Sequence, residues 1–84
     1  MGKYAYYAAS KAGKLKEVKS RAIEERIREK YSVSDELALL RQRYDKYEEF
    51  AEYNAFVEQI KEDVEAEAAK DIESHETETR GELQ

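Results

Sequence analysis

Cysteine, proline and tryptophan are absent from this chain of 84 residues, and glycine occurs only three times. Without cysteine there is no disulfide staple, no thiolate metal site and no mark of an oxidising compartment. Without proline, and with so little glycine, almost nothing interrupts a helix. Proline would remove a backbone donor, and glycine would cost chain entropy. No stretch approaches the roughly 20 apolar residues that a membrane-spanning helix needs. The N-terminus also lacks the continuous apolar core of a signal peptide. The sequence thus predicts a protein made and used in solution inside a cell, with no membrane span. Met1-Gly2 opens like a myristoylation site, but Tyr6 stands where that motif requires Ser or Thr.

What is present is charge and helix-forming side chains. Charged residues make up 42% of the chain and hydrophobic ones 40%, a composition typical of long helices or coiled coil. A domain this small buries only a modest share of its surface, which makes self-association or a protein partner the expected supplement. The net charge of -5 is unevenly spread: residues 1–30 hold nine Lys/Arg against four Glu, a balance of +5, and residues 31–84 carry -10. A positive front and a negative back predict that the two ends fold against each other, or that copies join front to back.

Residues 1–31 read as a basic N-terminal helix with a weak point at Gly13. On a helical wheel Tyr4, Tyr7, Ala8, Lys11, Leu15, Val18 and Ala22 share one face, while Ala12, Ile23 and Ile27 lean to another. The stretch Tyr31 to Leu37 is the clearest boundary. Ser32 or Ser34 is placed to cap a second helix, with Asp35 and Glu36 in its first turn where the helix dipole favours acid. Leu37, Leu40 and Tyr44 then follow the spacing of a buried face. Asp45 and Glu48 have the spacing of a capping box, and there the apolar register slips by one residue. A break near residues 45–47 would reconcile the two registers, as would one continuous helix whose stripe drifts, and the break is the favoured reading. In the third segment Phe50, Tyr53, Val57, Ile60 and Val64 alternate as coiled-coil a and d positions, a seam that stops where Glu67 falls. Residues 48–73 balance at -8, which makes this segment the natural antiparallel mate of the first helix, with Leu15, Val18 and Ala22 against Val57, Ile60 and Val64. Residues 32–73 thus form an acidic helix-turn-helix unit. Residues 74–84, with Leu83 as their one apolar residue, are expected to be a disordered polar tail.

Catalytic chemistry finds little footing. The single histidine, His75, lies in the polar tail, where a packed Ser-His arrangement is not expected. Asp71 and His75 are four apart without the Glu-x-x-His spacing of a bundle metal site, and there is no phosphate-binding loop. No enzyme, metal or cofactor is predicted. Lys14, Arg21 and Arg28 recur every seven residues and, with Tyr4, Tyr6 and Tyr7, sketch a nucleic-acid surface, against which the -10 of the remaining chain weighs. The seven tyrosines are more telling, because each pairs a large apolar ring with a polar tip and so suits partly wet contacts. Tyr4, Tyr6, Tyr7 and Leu15 form one expected protein-binding surface. Phe50, Tyr53, Val57, Ile60 and Val64 form the other.

Through Ile27 to Ser32, Asp35 to Arg43 and Glu48 to Gln59, the chain resembles small uncharacterised helical proteins encoded in phages and prophages of Gram-positive bacteria. In those relatives the connector often carries proline where Tyr47 stands here. The resemblance implies a phage origin, a place among virion or tail genes, and synthesis in the cytoplasm of a bacterial host. It supplies no active site. The expected fold is all-α: two long helices and a short one in a hairpin or small bundle with a short coiled-coil seam, completed as an oligomer or by docking. The expected role is that of a non-catalytic structural or adaptor protein. A small acidic inhibitor of a host protein is the rival, and a nucleic-acid binder led by the first helix is the third reading.

Overall fold

The computed structural model describes residues 4–82, with side chains placed as far as Thr77. The Met1-Gly2 start and the Leu83-Gln84 end of the tail lie outside the described residues. The described residues form four helices: α1 (Ala5–Lys11), α2 (Leu15–Arg28), α3 (Val33–Arg41) and α4 (Tyr47–Glu82). The fold is a small all-α bundle, 61 Å long and under 20 Å across.

The expected single first helix is two. Gly13 takes φ +73°, a left-handed conformation that costs any other L-residue strain. The Lys14 N–H donates to the Ala9 carbonyl at 2.7 Å and the Gly13 N–H to the Ser10 carbonyl at 3.1 Å. These two bonds are the Schellman stop, which satisfies the last carbonyls of α1 while turning the chain. Gly13 is thus a terminator rather than a weak point. A Cβ there would meet nothing within 4 Å, so Gly13→Ala carries only the backbone cost, about 1 kcal/mol. Its melting temperature by circular dichroism is expected to drop by about 4–8 °C. A rise instead would mean that α1 and α2 had fused into one helix.

The second boundary forms as the sequence prescribes, and Ser32 is the residue chosen. Its Oγ accepts the Asp35 N–H at 3.0 Å, while the Asp35 carboxylate accepts the Ser32 N–H at 3.0 Å. That reciprocal pair holds the Asp35 carboxyl below the usual carboxylate range, chiefly through the Ser32 backbone N–H. The expected break is also present: α3 ends at Arg41 and a turn over residues 42–46 leads into α4. The first helical bond of α4 runs from the Phe50 N–H to the Lys46 carbonyl at 3.0 Å, one residue beyond the Asp45 cap read from the sequence. At its far end α4 continues to Glu82, where the sequence reading expects a tail from Ser74 onward.

Contact order along the helices fixes their directions. Lys19 pairs with Glu65, and Tyr31, just past α2, packs on Tyr53 and Phe56. Residues that rise along α2 therefore meet residues that fall along α4, and the two helices are antiparallel. Glu36 of α3 meets Tyr53 of α4 across the 42–46 turn, a second antiparallel hairpin. The core is a single seam along α4, formed by Tyr53, Val57, Ile60, Val64 and Ala68 and covered by Tyr6, Ala22 and Ile27. Leu15 and Val18 flank it, so the expected mating of a basic first segment with an acidic last one occurs within one chain. On the rim, Arg26 grips Glu67 with two bonds of 2.6 and 2.8 Å, and Lys19 reaches Glu65 at 2.7 Å. Exposed pairs of this kind contribute about 0–1 kcal/mol each, so they select register more than they hold it. Among the described residues no helix is long and apolar enough to cross a membrane.

Candidate interaction surface

All nine residues expected on two binding surfaces turn toward the inside of one chain. Tyr6 is buried in the core beside Ala22 and Ile27. Tyr7 stacks on His75 with ring centroids 3.6 Å apart, and Tyr4 meets the same imidazole edge-on at 4.9 Å. The Tyr7 N–H, one of the orphan donors at the start of α1, donates to the Asp71 carboxylate at 3.0 Å. His75 and Asp71, four residues apart, thus serve as one docking patch for α1. Leu15 and Phe50 are half-buried against the core, and Tyr53, Val57, Ile60 and Val64 lie within it. The two expected surfaces are therefore two sides of one internal interface. The helix wheel identified apolar faces correctly, but a wheel does not say what covers them.

Among the described residues, a charged cluster joins three helices at the α2–α3–α4 junction. Arg28 at the end of α2 donates to Glu36 of α3, which also accepts the Tyr53 hydroxyl of α4. Arg28 additionally pairs with Glu24 at 2.8 Å and donates to the Tyr31 carbonyl at 3.0 Å. The Tyr53 hydroxyl bond, then the Arg28 guanidinium, pull the Glu36 carboxyl below its ordinary range. Burial, and then the neighbouring Glu36 carboxylate, push the Tyr53 phenol up to about 12. The arrangement is a clamp: a carboxylate held ionised by two donors, on a helix that has little else to hold it down. It also commits Arg28, one of the three basic residues of the expected nucleic-acid stripe, to an internal partner. Tyr6 carries the opposite kind of feature, a buried hydroxyl with no hydrogen-bond partner among the described residues, and burial raises its pKa.

The exposed apolar surface lies elsewhere. Val33, Leu37 and Leu40 on α3 are 42–55% exposed, and at the corner Tyr44 and Tyr47 reach 83% and 70%. α3 turns Leu39 and Glu36 toward α4 and leaves this second face outward. Arg43, Tyr44, Tyr47 and Phe50 line a shallow apolar notch at the corner, and the Arg43 guanidinium lies 5.0 Å from the Tyr44 ring. Leu37, Leu40 and Tyr44, expected to be a buried face, are therefore its uncovered counterpart. Val33, Leu37, Leu40, Tyr44 and Tyr47 step by four, three, four and three in the sequence, a periodicity that marks an apolar stripe without saying whether anything covers it. No group of three or more His, Cys, Asp or Glu among the described residues is placed to hold a metal ion. Comparison of the chain with protein-family models, curated proteins and solved structures finds no match.

Proposed function

We propose that this chain is a non-catalytic structural or adaptor protein, a component of a phage virion or tail, which works by protein contact through the outer face of α3 and the α3–α4 corner. The observation that carries the reading is the set Val33, Leu37, Leu40, Tyr44 and Tyr47, the large apolar side chains left in water among the described residues, while the others are buried or half-buried. Large exposed apolar patches on small proteins mark interaction sites. Burying such a patch is worth roughly 25 cal/mol per Å². Tyrosine and arginine, which sit together at the corner, are the side chains most often responsible for the strongest contacts in an interface. The phage assignment rests on the resemblance of the central segment.

The test uses particles purified from a producing strain that encodes the chain. Mass spectrometry is expected to find it with the structural proteins, and Leu40→Asp with Tyr44→Asp is expected to remove it from particles while leaving helix content unchanged. Recovery instead as a one-to-one complex with a basic host protein would replace this reading with that of an acidic inhibitor.

A further inference from the structure

We infer that two copies of this chain exchange their α1–α2–α3 arms by straightening the α3–α4 corner, so that each copy's arm packs on the other's α4. The inference rests on the reading of the exposed stripe as a contact face and names its occupant, a second copy.

The corner is built like an interrupted helix rather than a fixed turn. Residues 42–46, Gln-Arg-Tyr-Asp-Lys, contain no glycine or proline, and among the described residues no residue other than glycine has positive φ. Its hydrogen bonds are already of helical type: Gln42 N–H to the Ala38 carbonyl at 3.0 Å, Lys46 N–H to the Gln42 carbonyl at 2.7 Å, and Asp45 N–H to the Gln42 carbonyl at 3.0 Å. The Gly13 turn, by contrast, has a left-handed residue that locks it. Gln42 has φ -105° and ψ 16°, so straightening residues 42–46 requires none of them to leave the left-handed region.

The register across the corner is set for one helix. Stepping back from Phe50 by four, three, four and three gives Lys46, Arg43, Leu39 and Glu36. Leu39 and Glu36 are the residues that α3 turns toward α4. The inward faces of α3 and α4 are therefore in phase, and a straight helix would present both on one side. An arm carried on that helix can repeat on a second copy every contact it makes here, including Glu36 with Tyr53, Lys19 with Glu65 and Arg26 with Glu67. The exposed stripe is continuous with this established interface. Leu40, Tyr44 and Tyr47 each follow an inward position by one residue, so they flank the seam where two straightened helices would cross. Exchange thus keeps the existing core and covers Leu40, Tyr44 and Tyr47, which the closed chain leaves in water, the condition under which swapping costs little. Arg43 and Lys46, the polar members of the joined seam, favour the closed form and keep the two states in competition.

Tyr47 offers the discriminating substitution because it is the first residue of α4. Proline suits a first helical position, whose N–H needs no helical partner, but in the interior of a straightened helix it breaks the ladder. Light scattering and sedimentation of the full chain over a concentration series are expected to show a dimer for the wild type and for Tyr47→Ala, slow to dissociate on dilution because the arms must leave α4. Tyr47→Pro is expected to remain monomeric with its helix content retained. As a second hinge variant outside the stripe, Arg43→Gly with Asp45→Gly is expected to weaken dimerisation about a hundredfold or more, since four glycines would enter helix interiors per dimer. A wild type that stays monomeric throughout overturns the exchange, as does a dimer that Tyr47→Pro forms equally well. A dimer lost in Tyr47→Ala but kept in the glycine variant overturns it too, while leaving the stripe as an ordinary contact face.

Discussion

Replacing Val64 by aspartate is expected to abolish the folded state. Val64 has no solvent exposure and, among the described residues, is the large side chain fully enclosed in the core, within the seam where α2 closes over α4. A chain of this size is stable by roughly 4–13 kcal/mol, at about 0.05–0.15 kcal/mol per residue. An unpaired carboxylate in an apolar site costs several kcal/mol even after it takes up a proton. That loss is comparable with the whole stability, so the far-UV helical signal at neutral pH is expected to collapse. Val64→Ala is the calibrating variant. It removes two methyl groups, costs about 2 kcal/mol, and is expected to melt cooperatively at a lower temperature. If Val64→Asp kept its helical signal and a sharp melt, the seam between α2 and α4 would not be what holds the chain together.

The second large effect is expected at Glu36. Replacing it by leucine leaves the Tyr53 hydroxyl without its acceptor at the helix junction, while Arg28 keeps Glu24 and the Tyr31 carbonyl. An unpaired hydroxyl of this kind costs about 1–3 kcal/mol when buried, and the Tyr53 site is enclosed. Because α3 has no buried residue of its own, the loss should fall on α3 first, read as faster amide exchange there than in α2 or α4.

The same clamp sets a pH dependence with a definite sign. Glu36 has a folded pKa below its ordinary value, so the unfolded chain binds its proton more readily, and the stability it contributes is complete above about pH 5 and disappears as the pH falls through the folded value. Glu67, held low by its bond from Arg26, and Asp35, held low by Ser32, act in the same direction. Tyr53 governs the opposite limb. Its folded pKa is raised to about 12, so its contribution is complete below about pH 10 and is lost between there and pH 12. Thermal melts from pH 3 to 11 are expected to show a plateau that falls at both ends. Glu36→Gln should flatten the acid limb and Tyr53→Phe the alkaline one, in part only, because Tyr6 shifts in the same direction. An acid limb as steep in Glu36→Gln as in the wild type would remove Glu36 from this account.

Much of the fold was legible in the sequence because it depends on local chemistry. The cap at Ser32 needs only a hydroxyl and a carboxylate three residues apart. The interruption between α3 and α4 was expected from a one-residue slip between the Leu37, Leu40, Tyr44 stripe and the Phe50, Tyr53 seam, and it is present although the first stripe faces outward. The antiparallel match of α2 with α4 followed from opposite charge and two complementary apolar faces. Gly13 was misjudged because glycine inside a helical pattern signals either a tolerated defect or a left-handed stop, and the choice is made by whether α1 gains more by docking on α4 than by continuing α2. The Tyr7, His75 and Asp71 contacts show where that gain lies. They also explain why a segment with few apolar residues is helical past Ser74: one residue of a helix is held by a partner more than sixty positions away, and no local composition reveals that.

The candidate surface divides in the same way. Alone, the sequence determined that this chain is helical, that it carries more apolar stripes than one neighbour can cover, and that its charges favour folding back on itself, since helix periodicity and charge are properties of residues a few positions apart. Which stripe is buried was decided only in three dimensions. Tyr53, Val57, Ile60 and Val64 are enclosed because Tyr6, Ala22 and Ile27 reach them, whereas Leu37 and Leu40 face water because α3 turns Glu36 and Leu39 toward α2 and α4, and Tyr44 and Tyr47 stand out at the corner. An apolar face is a local fact, but its cover is supplied from elsewhere in the chain or from another molecule.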